Sequence, residues 1–270
     1  MEYRELGHTG EKIPVLGMGT WKIGNFRSPS DRAEQYESLT RGLELGMTHI
    51  DTAEFYSHGV SEELVGEVIK GKRDSVFIAT KVWPTNLHHD DVLAACERSL
   101  KRLGTSTIDL YQIHWPNPQI PIRETMGAMQ ELVDTGRVRH VGVSNFSIEE
   151  TKAAQEALGK SELVSNQVEY SLSNRTIESG LVQFCQKERI TVIAYSPLGR
   201  GELSVGIIPQ ALLSKYGMTP SQLALNWVTF RDGVVAIPKA AKKKHTEENA
   251  ASLSRRLSQQ DYELISKQAH

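Results

Sequence analysis

Cysteine is nearly absent from this sequence, which has only Cys96 and Cys185 among its 270 residues. Both lie in segments with a helical pattern of apolar residues, so we expect a reducing compartment and no disulfide framework. The first ten residues lack the apolar stretch of a signal peptide, and no apolar run approaches the roughly 20 residues that span a bilayer. These absences predict a cytoplasmic protein without a membrane partner.

An excess of charge is absent as well. The chain has 31 Lys and Arg against 33 Asp and Glu, which gives a net charge of −2. Nucleic-acid-binding domains usually present a basic surface, so we expect no nucleic-acid partner. His-x-His and Cys-x-x-Cys spacings are also missing, and we therefore predict no metal site. The sequence is compatible with a monomer or a weak homo-oligomer.

The sequence does contain a regular alternation of short β-branched apolar runs and amphipathic helical stretches. No linker rich in Pro, Gly or Ser divides them. The eight runs are 15–20, 48–52, 76–81, 108–114, 138–144, 163–167, 191–196 and 234–238. Eight strand–helix units in a chain of this length predict a (β/α)8 TIM barrel, with residues 1–270 forming a single domain.

Turn and cap residues refine this prediction. The opening stretch RELGHTGEKIPVLG indicates a β-hairpin with its turn at residues 7–10. Ser147 with Glu150, and Thr219 with Gln222, have the spacing of a helical capping box. Helical patterns occupy 31–45, 61–70, 89–103, 122–135, 147–158, 176–188, 219–231, 246–256 and 258–267.

A doubly wound open sheet is the alternative fold. Such a sheet usually has a GxGxxG turn after its first strand. The nearest match is Gly17-Met18-Gly19, and it fails because Lys22 stands where the third glycine is needed. The pattern therefore favours the closed barrel.

Polar residues gather at the ends of the predicted strands. In a barrel of this kind the active site lies at the carboxyl ends of the strands. Seven strands end in such residues: Asp51, Lys81, His114, Ser144 with Asn145, Asn166 with Gln167, Ser196 and Lys239. Trp21, Trp83 and Trp115 also follow strand ends. We therefore predict a small-molecule pocket with a polar centre and aromatic walls.

The residue types at this face favour one kind of chemistry. A glycosidase needs two facing carboxylates, and only Asp51 lies clearly on the face, although Glu54 and Glu169 are nearby. Neither Ser144 nor Ser196 lies in the GxSxG elbow of a hydrolase. A tyrosine, a lysine, an aspartate and a histidine together instead suggest proton transfer to a carbonyl oxygen.

Several longer motifs then carry a resemblance to a known family. They are LGMGTW, HIDTAEFY, SEELVGEVIK, IATKVWP, LGTSTIDLYQIHWP, GRVRHVGVSNFS, NQVEYSL, VIAYSPLGRG, IPKA and EEN. In order and spacing the sequence resembles the aldo-keto reductases. The resemblance implies a (β/α)8 barrel closed at the bottom by the N-terminal hairpin. It also implies that NADP(H) binds in an extended form without a Rossmann domain, which explains the missing GxGxxG.

The family's catalytic tetrad corresponds here to Asp51, Tyr56, Lys81 and His114. The resemblance implies hydride transfer from nicotinamide C4 to the substrate carbonyl, with Tyr56 supplying the proton. An ammonium about 4 Å from a phenol favours the phenolate by on the order of 4 kcal/mol at an effective dielectric of ~20. We therefore expect Lys81 to lower the pKa of Tyr56. Asp51 would fix Lys81, and His114 would donate to the carbonyl oxygen.

The resemblance further implies a set of cofactor contacts. Ser144, Asn145 and Gln167 match the residues that bond the nicotinamide carboxamide, and Tyr195 matches the ring that stacks on it. A turn rich in glycine would hold the pyrophosphate through backbone N–H groups. The remaining contacts up to this turn are Gly19, Thr20, Trp21, Asp51, Ser196, Pro197, Leu198, Gly199, Arg200 and Gly201.

The adenosine end departs from the family pattern. Ile237, Pro238 and Lys239 are kept, as are Glu248 and Asn249, which are implied to contact adenine. Ala240 stands where many members have serine, and His245 stands where many have arginine. The serine hydroxyl and the arginine are usual partners of the 2′-phosphate. NADP(H) is favoured because Lys239 persists, with NAD(H) as the open alternative. The lysines at 242–244 could compensate as point charges or could simply be solvated.

The substrate pocket is implied to have an aromatic wall beside the tetrad, formed by Trp21, Phe55, Trp83 and Trp115 next to Tyr56 and His114. The segment between His114 and Ile122 is short, so we expect an open pocket for small carbonyl substrates. The predicted function is NAD(P)H-dependent reduction of small aldehydes and ketones. A cofactor-binding, non-catalytic regulatory subunit on the same fold is the alternative, and the intact tetrad favours the enzyme.

Overall fold

The chain begins with the antiparallel hairpin that its turn residues predict. In the computed structural model, which describes residues 1–201 and 207–269, β1 (Tyr3–Glu5) pairs with β2 (Lys12–Pro14). Leu6 and Ile13 are fully buried and pack against interior residues of the barrel. A Cβ on Gly7 would lie 3.0 Å from Val164, so the turn can approach this closely only with glycine. The hairpin closes the amino-terminal end of the barrel.

Eight parallel strands follow and are hydrogen-bonded in chain order. They are β3 (Met18–Gly19), β4 (His49–Asp51), β5 (Phe77–Val82), β6 (Ile108–Ile113), β7 (Val138–Ser144), β8 (Leu163–Glu169), β9 (Thr191–Tyr195) and β10 (Val234–Ala236). Bridges join Leu16 to Ala236 and Gly19 to Lys239, and the Gly17 N–H donates to the Ala236 carbonyl at 2.8 Å. The sheet therefore closes on itself, and the predicted (β/α)8 barrel is confirmed.

Helices cover the outside of the barrel. Those that follow strands β3 to β8 are α1 (Pro29–Glu44), α2 (Val60–Ile69), α3 (His89–Leu103), α4 (Ile122–Asp134), α5 (Ile148–Ala157) and α6 (Leu181–Lys187). After β9 and β10 come α7 (Gln210–Tyr216), α8 (Pro220–Val228), α9 (Lys243–Ala250) and α10 (Gln259–Gln268). Within residues 1–201 and 207–269, no helix combines the length and apolar character needed to cross a membrane.

Local sequence signals set several of these boundaries. The Ser147 hydroxyl accepts from the Glu150 N–H at the start of α5, and Glu150 accepts from the Ser147 N–H in return. The same reciprocal pair joins Thr219 and Gln222 at the start of α8. Both predicted capping boxes are confirmed. Most strand residues are apolar because helices and the barrel interior bury both faces of the sheet, and all six residues of β6 are buried.

Helices α8 and α9 end at Val228 and Ala250, earlier than the predicted 231 and 256, and three further differences concern where helices begin or exist. The segment predicted as one helix over 176–188 is a 3₁₀ turn at Thr176–Ser179 followed by α6, with Gly180 at the break. Helix α9 begins at Lys243 rather than at 246. Helix α7 was not predicted at all. Asp261 of α10 fixes it, because its carboxylate accepts from Lys215 and from Tyr216, each at 2.6 Å.

Candidate active site

Lys81 and Asp51 form a salt bridge at the carboxyl ends of two neighbouring strands. The Lys81 Nζ lies 2.6 Å from Asp51 Oδ1 and also donates to the Thr52 carbonyl at 2.9 Å. Both side chains are buried. They lie close together because β4 and β5 are parallel neighbours in which Asp51 pairs with Ala79, two residues before Lys81. An ion pair is needed here because an unpaired charge would be costly to bury.

Tyr56 reaches the same ammonium group from the loop after β4. Its hydroxyl lies 3.4 Å from Lys81 Nζ, and its ring is buried. The chain turns sharply directly after it, because Ser57 and His58 have φ values of +50° and +54°. Such values are uncommon for residues other than glycine and persist only where the surroundings impose them. The Ser57 hydroxyl donates to the Ile23 carbonyl at 2.7 Å and so holds this turn against the loop after β3.

His114 completes the predicted tetrad at the end of β6. Its ring stands edge-on to Tyr56, with centroids 5.5 Å apart, and no hydrogen-bond partner for its Nδ1 occurs among the described residues. Burial, assisted by the positive charge of Lys81, lowers the pKa of His114 to about 2. The imidazole is therefore neutral at physiological pH.

The expectation that Lys81 lowers the pKa of Tyr56 holds only in part. Burial raises the pKa of Tyr56, and the opposing effect of Lys81 does not overcome it. The sequence shows that an ammonium is near the phenol, but it does not show how little water reaches the pair. Burial alone would also lower the pKa of Lys81, yet Asp51 and Tyr56 raise it overall. Lys81 is therefore charged, and Tyr56 is held as the neutral, proton-bearing phenol.

Two glutamine amides hold the second oxygen of Asp51. Gln167 Nε2 donates to Asp51 Oδ2 at 2.7 Å, and Gln112 Nε2 lies 3.5 Å from the same atom. Gln167 was predicted to contact nicotinamide, so its Oε1 is the atom left for that contact. Sequence reasoning missed Gln112, although a polar residue within the apolar run IDLYQIH is a usable signal.

The residues predicted to hold the nicotinamide lie beside the tetrad. Asn145 has φ +62°, and its side-chain amide donates to the His114 carbonyl and to the Ser144 hydroxyl, each at 3.0 Å. The Tyr195 hydroxyl donates to Asn145 Oδ1 at 2.9 Å. Burial raises the pKa of Tyr195 to about 12. This network fixes one aromatic face and several amide and hydroxyl groups next to the tetrad, as a flat carboxamide-bearing ring requires.

The turn after β9 fits a pyrophosphate. Successive residues Gly199, Arg200 and Gly201 have φ values of +58°, +55° and +92°, and Ser196 has +48°. The Gly199 and Gly201 N–H groups donate to the Ser196 and Leu198 carbonyls at 2.9 Å and 3.2 Å, so the turn is held by its own hydrogen bonds, and its fit to an anion rests on this turn conformation. Where β3 closes the barrel beside β10, a Cβ on Gly19 would lie 2.6 Å from the Ile237 carbonyl oxygen, so this approach requires glycine. The residues present fit a bound dinucleotide.

The residues predicted to bind the adenosine end of the cofactor are more exposed than those at the nicotinamide end. Lys239 forms a β-bridge with Gly19, and its side chain is exposed. Partial burial, together with the positive charge of Lys22, lowers the pKa of Lys239. His245 Nδ1 lies 3.6 Å from Glu248 Oε2 at an exposed site. Glu248 also accepts from Thr219 at 2.7 Å. Of the other predicted contacts at this end, Ile237, Pro238 and Asn249 are buried and Ala240 is partly exposed.

Two of the three lysines at 242–244 form ion pairs with glutamates of α1. Lys242 Nζ lies 3.9 Å from Glu34, and Lys243 Nζ lies 2.8 Å from Glu37, both on α1. These exposed pairs join the start of α9 to α1. They leave Lys239 and Lys244 as the better candidates for a phosphate contact.

Aromatic rings line the mouth next to the tetrad. Phe55 and Trp83 stack with centroids 3.8 Å apart and an interplanar angle of 8°, and we call them the aromatic pair. Trp83 is edge-on to His114 at 5.1 Å, and Trp21 is edge-on to Tyr56 at 5.1 Å. Trp115, at the start of the loop after β6, is 45% exposed. The predicted apolar wall is thus adjacent to the tetrad, and its outer rings are open to solvent.

Sequence reasoning gave no role to Glu54, which joins two loops of this mouth. Its carboxylate accepts from the Trp83 N–H at 2.8 Å and from Asn86 at 2.9 Å. Its signal in the sequence was its position between Asp51 and Tyr56. In the part of the chain that the structure describes, no three His, Cys, Asp or Glu side chains cluster so as to hold a metal ion.

Comparisons with known sequences point to one family. The family model described as "Aldo/keto reductase family" matches residues 15–269. Methylglyoxal reductase YeaE of Escherichia coli is 37% identical over 99% of this chain and 95% of its own length. Glyoxal reductase of Bacillus subtilis is 34% identical over 96% of this chain and 90% of its own length.

Solved structures give the same answer. The thermostable aldo-keto reductase Tm1743 in complex with the inhibitor epalrestat superposes with a TM-score of 0.94 at 44% identity, covering 99% of this chain and 100% of its own. An aldo/keto reductase from Klebsiella pneumoniae in complex with NADP and acetate superposes with a TM-score of 0.89 at 36% identity, covering 99% of this chain and 95% of its own. A further Klebsiella pneumoniae structure holds NADPH.

Proposed function

The chain belongs to the aldo/keto reductase family, and from that premise we propose that it reduces small 2-oxoaldehydes of the methylglyoxal type at the tetrad. Membership makes the protein an NADP(H)-dependent oxidoreductase that converts carbonyl groups to alcohols. The two reductases of Escherichia coli and Bacillus subtilis support the finer substrate class. The single observation that carries reduction at the tetrad is the contact of the Tyr56 hydroxyl with Lys81 Nζ at 3.4 Å.

Tyr56 serves as the proton donor in this proposal. Burial keeps its hydroxyl protonated, and the adjacent ammonium of Lys81 stabilises negative charge that develops on the phenol oxygen as the proton leaves. Asp51 balances the charge of Lys81 throughout. When bound, NADPH supplies the hydride to the carbonyl carbon.

His114 orients the carbonyl oxygen. Since its Nδ1 has no partner among the described residues, that atom is less costly as an unprotonated acceptor than as a buried unpaired donor. The proton then resides on Nε2, which is free to donate to the carbonyl oxygen. A neutral imidazole can do this over the whole physiological pH range, because its pKa is about 2.

The cofactor-binding residues divide among three regions. Ser144, Asn145, Gln167 and Tyr195 would hold the nicotinamide end, and the turn at 199–201 would hold the pyrophosphate. Lys239 and His245 would meet the 2′-phosphate, with Glu248 and Asn249 near the adenine. These assignments rest on the backbone geometry of the turn and on the hydrogen bonds around Asn145.

We further propose that residues 1–270 act as one domain. The hairpin supports this, because Leu6 and Ile13 share a buried cluster with the barrel strands. The bridges from Leu16 to Ala236 and from Gly19 to Lys239 also support it, since they join the two ends of the sheet.

The direct test mixes the protein with NADPH and methylglyoxal and follows the loss of the reduced cofactor by absorbance. Turnover that disappears in Tyr56→Phe supports the proposal. Tight NADPH binding without turnover on methylglyoxal or on other small aldehydes would overturn it and favour a regulatory, cofactor-binding role.

A further inference from the structure

We propose that Glu54 is a positioning residue that sets substrate specificity by holding the aromatic pair, Phe55 and Trp83, beside the tetrad. The inference rests on the proposed reduction at Tyr56 and adds a residue that acts on the substrate only through its neighbours.

The Glu54 carboxylate contacts Trp83, Asn86 and Arg98, and we call this set of contacts the clamp. Its side chain is 8% exposed. Oε1 accepts from the Trp83 N–H at 2.8 Å and from Asn86 Nδ2 at 2.9 Å, while Oε2 lies 3.5 Å from Arg98 of α3. A carboxylate this buried is costly unless its oxygens are hydrogen-bonded, and here both oxygens have donors.

These contacts join two separate loops. Glu54 lies in the loop between β4 and α2, directly before Phe55 and Tyr56. Trp83 and Asn86 lie in the loop between β5 and α3. The Glu54 N–H also donates to the Lys81 carbonyl at 3.3 Å, so the backbone of the first loop is anchored at the end of β5 as well.

The aromatic pair stands where the two loops meet. The near-parallel stack of Phe55 on Trp83, with centroids 3.8 Å apart, needs a fixed separation of the loops. Trp83 in turn faces His114 edge-on at 5.1 Å. Without the hydrogen bond from the backbone N–H of Trp83 to Glu54, the indole ring of Trp83 could move relative to His114. This movement would change the surface against which a substrate substituent packs.

The effect should depend on the size of that substituent. A small oxoaldehyde occupies little space beyond the carbonyl and needs mainly Tyr56 and His114. A planar aromatic aldehyde extends its ring over the aromatic pair. Loss of the clamp should therefore raise KM for the aromatic substrate and leave kcat for the small substrate almost unchanged.

The test compares methylglyoxal with 4-nitrobenzaldehyde in wild type, Glu54→Ala and Glu54→Gln, with NADPH affinity and thermal unfolding measured for each. Glu54→Gln keeps an acceptor for Trp83 and Asn86 and removes the charge. Glu67→Ala is the matched control. It also removes a glutamate that pairs with an arginine, because Glu67 of α2 pairs with Arg32 of α1, but that pair lies on the exposed outer surface.

In Glu54→Ala we expect kcat/KM for 4-nitrobenzaldehyde to fall about tenfold or more, mainly through KM, since small displacements at a site are costly. Methylglyoxal should change less than about threefold, and NADPH affinity should not change. Glu54→Gln should retain most of the activity on both substrates.

Equal changes for both substrates in a folded Glu54→Ala would overturn the inference, as would no change for either. Failure of the wild type to reduce 4-nitrobenzaldehyde would also overturn it. If Glu54→Ala does not fold, Asn86→Ala, which removes one donor of the clamp, decides between the same outcomes. A wild type inactive on both substrates instead overturns the proposed function itself.

Discussion

The ammonium of Lys81 and the carboxylate of Asp51 form a buried salt bridge of 2.6 Å at the barrel mouth, with neither side chain more than 2% exposed. A pair so shielded from water is not primarily a source of stability, because desolvation offsets much of the attraction. Its value lies in keeping a positive charge 3.4 Å from the Tyr56 hydroxyl.

Replacing Asp51 with asparagine should remove the negative charge that stabilises the Lys81 ammonium. Burial favours the neutral amine, and Asp51 is the main group that keeps the pKa of Lys81 raised. In Asp51→Asn the ammonium should therefore deprotonate at lower pH, and the alkaline fall in kcat/KM should shift to lower pH. An uncompensated buried charge should also destabilise the fold by about 3–5 kcal/mol. A pH–rate profile with an unmoved alkaline limb would refute this assignment of charge.

Tyr56→Phe should remove the proton donor and leave the ring contacts in place. General acid catalysis of this kind contributes about 10²- to 10⁴-fold, so kcat should fall by that order. NADPH affinity should remain within about twofold, because the hydroxyl contacts Lys81 rather than the predicted cofactor residues. Cofactor binding is measured by quenching of protein fluorescence. Activity within a few-fold of wild type would contradict the proposed role.

His49 should make the protein less stable in mild acid. It lies fully buried on β4, both ring nitrogens lack partners among the described residues, and burial lowers its pKa to about 4. An unfolded histidine takes up its proton near pH 6.5. Between pH 7 and pH 5 the unfolded state therefore binds more protons, and the free energy of unfolding falls by about 2 kcal/mol from this residue.

His49→Leu should flatten that pH dependence. Denaturant unfolding at pH 5 and pH 7 measures the slope, and His8→Gln at an exposed site is the control. His114, whose pKa is also lowered, still contributes in the variant, so part of the slope should remain. An unchanged slope would show that His49 is not the acid-sensitive group.

His245→Arg should tighten NADPH more than NADH. An arginine fork binds a phosphate through two hydrogen bonds, which His245 cannot do. Lys242 and Lys243 are already paired with Glu34 and Glu37, so they compensate poorly. The expected gain is about tenfold in Kd for NADPH with little change for NADH, measured by fluorescence titration. Equal gains for both cofactors would mean that residue 245 does not face the 2′-phosphate.

Much of the fold could be predicted because its signals are local. The apolar runs gave all eight barrel strands, and the capping boxes at Ser147 and Thr219 marked two helix starts. The tetrad could be gathered from the sequence because the carboxyl ends of parallel strands share one end of a barrel. Residues far apart in the chain, such as Asp51 and His114, are thereby placed at the same mouth.

What escaped prediction depends on long-range contacts. Helix α7 is short, and it is fixed by Asp261, about 45 residues away along the chain. The pKa of Tyr56 depends on how completely water is excluded, which no local pattern records. Glu54 could be seen near the site, but its partners Trp83 and Asn86 lie on another loop.

The hairpin has a consequence for the passage of small molecules. Because Leu6 and Ile13 are fully buried and pack against interior residues of the barrel, a substrate reaches Tyr56 from the carboxyl-terminal mouth rather than through the hairpin end. Reactant entry and product exit therefore share one route past the same aromatic rings. The product must therefore leave before the next substrate enters. Substitutions in the loops at this mouth should change the rate of that exchange without affecting the hairpin end of the barrel.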